Sequence, residues 1–399
     1  KVQKYNGVVD YVETATNKRV GYHLAWIFTT FYYPIIAAIV AILAAQNFFA
    51  MFGLSLGMDD YRIYVFALVV LTLAVVMNYA SPILSSKFQI SATIIKLIPI
   101  AIVAFVGLFG SIIVGPEVGI VNAFTKPAEG YVSNFGDAVK VTSFAYEGWV
   151  CATAINAELK ESKKNLPRAL VGGTIAVLAF YLIYYIALSS FLGNAGTIEQ
   201  GSNAPVYVFS EIMGSYGSFL MSFFIMISCL GTVNGVTISC CRGMYTMSCR
   251  GQGIMPEKFS KIGKNQSVSL LSCIYGYCCI LIMLLVWYLG FKGVWIFPKL
   301  LAMDEIVCSI IYAVYITMYI SIICKFKEEN VFRRFIMPVI AIIGALFFMF
   351  CGTGLYTLVF KNDISGLEQF GIFMILFAIL TIPSVFFYKK DRGTELTVE

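Results

Sequence analysis

Residues 143–150 read SFAYEGWV and sit inside a mostly apolar run, 138–158. Glu147 is the awkward residue. A charge in hydrocarbon costs about 3 to more than 10 kcal/mol, depending on the scale. Its neighbour Gly148 weakens a helix further. A plain membrane helix would carry leucine or valine here. The stretch therefore marks a helix that opens within the bilayer, because broken membrane helices occur where the backbone lines a cavity.

The rest of the chain supports a membrane reading. Its 399 residues are 59% hydrophobic and 13% charged, and the mean hydropathy is +0.82. Soluble domains are about 25% charged. No linker, low-complexity tract or polar block interrupts the chain, so 1–399 reads as one transmembrane domain. Ten spans have the length to cross a bilayer: 22–46, 62–80, 91–114, 138–158, 168–192, 216–241, 267–290, 300–324, 335–359 and 367–388. They are helices, since open strands leave backbone groups unpaired in lipid, and they are too long for barrel strands. The fold class is all-α integral membrane protein.

Lysine and arginine set the orientation. With the N-terminus inside, 21 of the 28 fall in cytoplasmic segments and six in outside segments, while Lys96 lies within a span. Both termini, 1–20 and 389–399, are then cytoplasmic, and the lipid bilayer around the chain is the cell membrane. The chain starts at Lys1 with a segment that reads as a loop between spans, so a part upstream is expected to be missing.

Composition excludes several functions. There are eleven cysteines and one histidine, His23. The cysteines lie mostly in apolar runs and act as small apolar residues. They form neither a disulfide framework nor a metal-ligand pattern. There is no cofactor motif, nucleophile elbow or catalytic constellation, so the chain is not read as an enzyme. No selectivity-filter repeat suggests a channel, and nothing suggests a nucleic-acid partner.

Inside the spans, Lys96 in SATIIKLIPIAIVAF (91–105) admits two readings: a side chain snorkelling to the interface, or an interior cation near a substrate path. Glu147 also admits two. It contacts a substrate or a proton, or it bonds freed backbone groups and holds the break open. Phe144, Tyr146 and Trp149 fit packing as well as a pocket. Tyr32, Tyr33 and Pro34 lie near the middle of the first span. Ser228, Thr232 and Asn234 place polar groups in the sixth, where such groups glue helices or line a path. Trp287 and Trp295 read as interface anchors.

Taken together, these segments resemble the amino acid–polyamine–organocation (APC) permeases. SFAYEGWVCATAINAELKESKKNLPRAL (143–170) resembles that family's broken helix and the loop after it. GTVNGVTISCCRGMYTMSCRGQGIMPEKFSKI (231–262) resembles its Gly-x-x-Asn-Gly and Arg-x-x-Tyr-x-Met pattern. NGVVDYVETATNKRVGYHLAW (6–26) and IIKLIPI (94–100) resemble further family segments in the same order.

The resemblance implies a LeuT-type fold, a 5+5 inverted repeat plus two helices, in which the ten spans are the third to twelfth. Residues 22–114 would be the remainder of the first repeat, 138–324 the second, and 335–388 the two C-terminal helices. It implies a secondary transporter of amino acids or related amines, working by alternating access. Phe144 would be an aromatic gate, with Ala145, Tyr146, Glu147, Gly148, Trp149, Val150 and Tyr33 around the substrate. Lys96, with Ser228 and Thr232, would stand where sodium binds in other members, which implies proton symport or exchange. A polyamine exchanger or a non-transporting amino acid sensor are the alternatives.

Overall fold

The computed structural model describes residues 7–113, 119, 121, 135–154, 161–263, 266 and 268–388. The terminal segments 1–6 and 389–399 and the end of the fourth span fall outside them. Helix α1 (Val8–Ala15) leads into α2 (Lys18–Ile27), whose first turn is capped by Asn17 Oδ1 accepting from the Val20 N–H at 3.0 Å. A single π turn, Phe28–Tyr32, joins α2 to α3 (Tyr33–Met51). Pro34 follows at once. Proline brings no N–H and crowds the carbonyl four residues back, and the wider turn sits where that ladder fails.

Lys18–Met51 is the central helix, with 83% of its apolar window buried, against 33% for α4 (Tyr61–Ala80). Its seam is built of small residues: Ala37, Ala38, Ala41, Ala44 and Ala45 are all fully buried. Small side chains let membrane helices approach closely.

Next come α5 (Pro82–Ile95) and α6 (Leu97–Ile113), with Lys96 alone between them. The third span thus starts earlier than the apolar run 91–114 suggested. Its interruption has a cause in the sequence. Pro99 has no N–H to give the Ile95 carbonyl, so the ladder breaks beside Lys96.

The fourth span is not one helix. It divides into α7 (Phe135–Ala145) and α8 (Trp149–Ala154), and Gly148 between them has φ 98°, where L side chains are strained. The chain continues through α9 (Ser162–Gln200), α10 (Ala204–Met213), α11 (Ser215–Cys249) and the short α12 (Pro256–Phe259). The last long elements are α13 (Leu270–Phe291), α14 (Met303–Lys325), α15 (Met337–Gly352), α16 (Leu355–Lys361) and α17 (Ser365–Phe387). Among the described residues, nine helical stretches are long and apolar enough to cross a membrane. The tenth expected span is the broken one.

Helix α11 lies along α3 and also meets α4, α5 and α13. A Cβ on Gly276 of α13 would stand 2.6 Å from the Cys240 carbonyl oxygen of α11, so that crossing requires glycine. A buried amide cluster ties α4, α5 and α11: Ser85 Oγ donates to Asn78 Oδ1 at 2.6 Å, and Asn234 Nδ2 donates to the Ser85 carbonyl at 3.2 Å. Elsewhere α6 packs on α9, while α7 packs on α14 and α15.

Ion pairs hold the two ends. At the end carrying most basic loops, Arg250 pairs with Asp10 and, at 3.1 Å, with Glu13. At the other end, Lys140 of α7 pairs with Glu305 of α14 at 2.6 Å, and Lys361 with Asp137 at 3.3 Å. The two tryptophans expected at an interface part company. Trp295 is 88% exposed, whereas Trp287 is buried and stacked on Phe291 at 5.9 Å. Helix α13 continues past Trp287 to Phe291, which keeps that ring inside the bundle.

Candidate functional site

The break between α7 and α8 brings Glu147 against the π turn. Tyr32, itself fully buried, donates its hydroxyl to Glu147 Oε2 at 3.0 Å. The other oxygen, Oε1, is shut from solvent and has no hydrogen-bond partner. One face of α14 completes the surround. Cys308, Tyr312, Tyr315 and Tyr319 all lie within electrostatic reach of the carboxyl group. Their spacing of three and four residues puts them on a single helix face. The Tyr315 hydroxyl is also buried and without a partner.

The surround is aromatic. The Trp149 ring meets the Tyr315 ring at 5.3 Å between centroids, and Tyr312 meets Tyr315 at 5.7 Å. Tyr33, half-buried, packs on Tyr32 at 5.3 Å and stacks on Phe28 at 5.5 Å. Val150 is buried, and its carbonyl accepts from the Thr153 hydroxyl at 2.7 Å. That hydroxyl accepts in turn from the Val8 N–H at 3.1 Å, linking α8 to α1.

The residues singled out in the sequence therefore divide. Glu147, Trp149, Val150 and Tyr33 gather with Tyr32 and the α14 face. Ala145 and Tyr146 turn towards α9: the Ala145 carbonyl accepts from the Tyr181 hydroxyl at 2.9 Å, and the Tyr146 ring meets Tyr181 edge-on at 5.3 Å. Gly148 supplies the turn. Phe144 lies in the last turn of α7, and its side chain is outside the described residues.

Lys96, Ser228 and Thr232 form a separate region. Lys96 is half-buried at the α5–α6 break. One turn before it, Ala92 faces Gly231 of α11, where an added Cβ would come within 2.7 Å. Ser228 lies one turn from Gly231, level with Lys96 along this antiparallel crossing. Thr232 is exposed and gives its hydroxyl to the Ser228 carbonyl at 3.1 Å, within its own helix. Among the described residues, no hydrogen bond or ion pair joins this group to Glu147.

Sequence reasoning missed Cys308, Tyr312, Tyr315 and Tyr319, and it chose Tyr33 where Tyr32 makes the hydrogen bond. The helical spacing of the tyrosines was a signal for the first group. Nothing local separated Tyr32 from Tyr33, because the π turn decides which of the two faces Glu147.

A buried carboxyl at a helix break, enclosed by membrane-length helices, is an arrangement that transporters with discontinuous helices also use. The chain belongs to the amino acid permease family, whose profile matches residues 2–395. It is 26% identical to the serine/threonine exchanger SteT of Bacillus subtilis, over 99% of this chain and 84% of that protein. It is 24% identical to the human cystine/glutamate transporter over 71% of this chain, and spans about half (55%) of that relative's length. It is 20% identical to the D-serine/D-alanine/glycine transporter of Escherichia coli K12, over 79% of this chain and 67% of that protein. Membership makes the chain a multi-pass membrane protein of an amino acid transport family, and not an enzyme.

Proposed function

We propose that this protein moves amino acids across the cytoplasmic membrane by alternating access, without sodium, as a proton symporter or an exchanger. The observation that carries this reading is the break at 146–148, which holds Glu147 inside the bundle with one oxygen unpartnered. A site of that kind opens to one side of the membrane at a time when α7 and α8 tilt against α3 and α14. The spans take the places of the third to twelfth helices of a 5+5 inverted repeat plus two. The termini and the basic loops are cytoplasmic, as the lysine and arginine distribution favours. Phe144, Ala145, Tyr146, Gly148, Trp149, Val150 and Tyr33 surround the substrate.

Lys96 serves as the coupling cation with Ser228 and Thr232, a fixed or titrating ammonium in place of sodium. Its position at a helix break is the support, since freed carbonyls there can receive an ammonium. The test is uptake by the protein in proteoliposomes. Uptake is expected to proceed equally in sodium and in choline buffers, and Lys96→Ala is expected to abolish it or its dependence on a proton gradient. Uptake driven by a sodium gradient rejects the coupling role.

A further inference from the structure

Glu147 is a half-buried residue whose carboxyl is shut in and meets no cation among the described residues. The titratable groups facing it are Tyr32 from the π turn and Cys308, Tyr312, Tyr315 and Tyr319 from α14, with Tyr33 of α3 beside Tyr315. None of these carries positive charge. The nearest lysine along its own span, Lys140, is engaged with Glu305. An ionised carboxylate in such surroundings is unfavourable until something neutralises it.

The geometry points to what does so. Oε2 accepts from Tyr32, while Oε1 is buried without a hydrogen-bond partner, as is the Tyr315 hydroxyl. Trp149 and Tyr312 pack on the Tyr315 ring. One free carboxylate oxygen, one free phenol and several aromatic faces suit an organic ammonium, which takes a charge-assisted hydrogen bond and cation–π contacts together. They do not suit a hard divalent cation, which needs about six or more oxygen ligands. No group of residues able to hold a metal ion occurs among the described residues.

Net charge then selects the kind of ammonium. A neutral zwitterion brings no net charge and leaves Glu147 uncompensated. A substrate with a second ammonium makes the filled site neutral. We propose that the side chains of Glu147, Tyr32, Trp149 and Tyr315 together bind the second, side-chain ammonium of a cationic substrate: a diamino acid or an alkyl diamine. This rests on the transport reading and names the substrate class for the same site.

The experiment is binding to the purified full chain in nanodiscs, by calorimetry, with lysine, 1,4-diaminobutane and serine as probes. Glu147→Gln is expected to weaken lysine and diaminobutane by about tenfold or more and to leave serine within about twofold. Tyr315→Phe is expected to weaken the same two probes by a smaller factor. Equal weakening of all three probes assigns Glu147 to the single ammonium that every one of them can present and overturns the class. Undiminished lysine binding in Glu147→Gln overturns the site. A measurement on the unaltered protein guards against misfolded variants: lysine, and not serine, should protect Glu147 from dicyclohexylcarbodiimide, read by mass spectrometry. Absence of that selective protection also overturns the proposal. Serine and lysine uptake, measured separately, tells failure of the transport reading from failure of this one, because binding and protection need no transport.

Discussion

Glu147 keeps one oxygen on the Tyr32 hydroxyl and the other on no partner, and this asymmetry belongs to neither residue alone. The acid stood out in the sequence because charge in an apolar run is costly. Its partner did not, because two adjacent tyrosines offer the same chemistry and only the π turn separates them. A simpler residue-scale case lies at the start of α4. Asp60 caps that helix, accepting from the Arg62 N–H at 2.9 Å, and its carboxylate pairs with the Arg62 guanidinium at 2.6 Å. The side-chain hydrogen bond from Arg62 is the main cause that holds the Asp60 carboxyl at about 2, below its ordinary 3.8. A depressed acid stabilises the fold above its unfolded value and loses that contribution as pH falls through the folded one. The α4 cap is therefore expected to persist at pH 4 and to be lost as pH falls from about 4 towards 2. A carbon-detected NMR titration of the Asp60 carboxyl checks this; a midpoint near 4 rejects the pairing.

At the scale of elements, two breaks matter, and they were legible to different degrees. The α7–α8 break was expected from Gly148 beside Glu147. The α5–α6 break was not, although Pro99 announces it three residues after Lys96. An apolar run hides such a proline because hydropathy counts side chains, whereas the break is a backbone effect. Gly148 gives the element-scale prediction. Its φ of 98° suits only glycine, and a Cβ there would meet nothing within 4 Å. Any penalty of Gly148→Ala is thus backbone strain, about 1–3 kcal/mol. The variant is expected to lower folded stability by that amount, measured by chemical unfolding in detergent, and to reduce transport more than expression. Unchanged stability would mean that the break closes into a continuous helix without cost.

On the scale of the molecule, the ends are fastened by ion pairs between segments far apart in the chain. Arg250 at the end of α11 reaches Asp10 and Glu13 on α1, more than two hundred residues away. The Asp10 side chain is fully buried, so removing the guanidinium takes a charge partner from a buried acid. Arg250→Ala is expected to cost about 3 kcal/mol, and Asp10→Asn in the same chain is expected to recover part of it. Unfolding of the single and double variants in detergent measures both; no recovery in the double variant places the damage outside this pair.

The sequence by itself determined a helical membrane protein, the approximate spans, the opened fourth helix and the acid within it. These follow from hydropathy, from the backbone's need for internal hydrogen bonds in lipid, and from the cost of a buried charge. Tertiary structure alone decided which tyrosine meets that acid, that a face of α14 encloses it, that Trp287 points inward, and that Lys96 stands apart from Glu147. Each of these depends on how helices distant in the chain rotate and pack against one another. A π turn at residue 28 or a glycine at residue 276 sets that rotation and approach. Hydropathy, which is nearly the same on every side of these helices, carries no record of it.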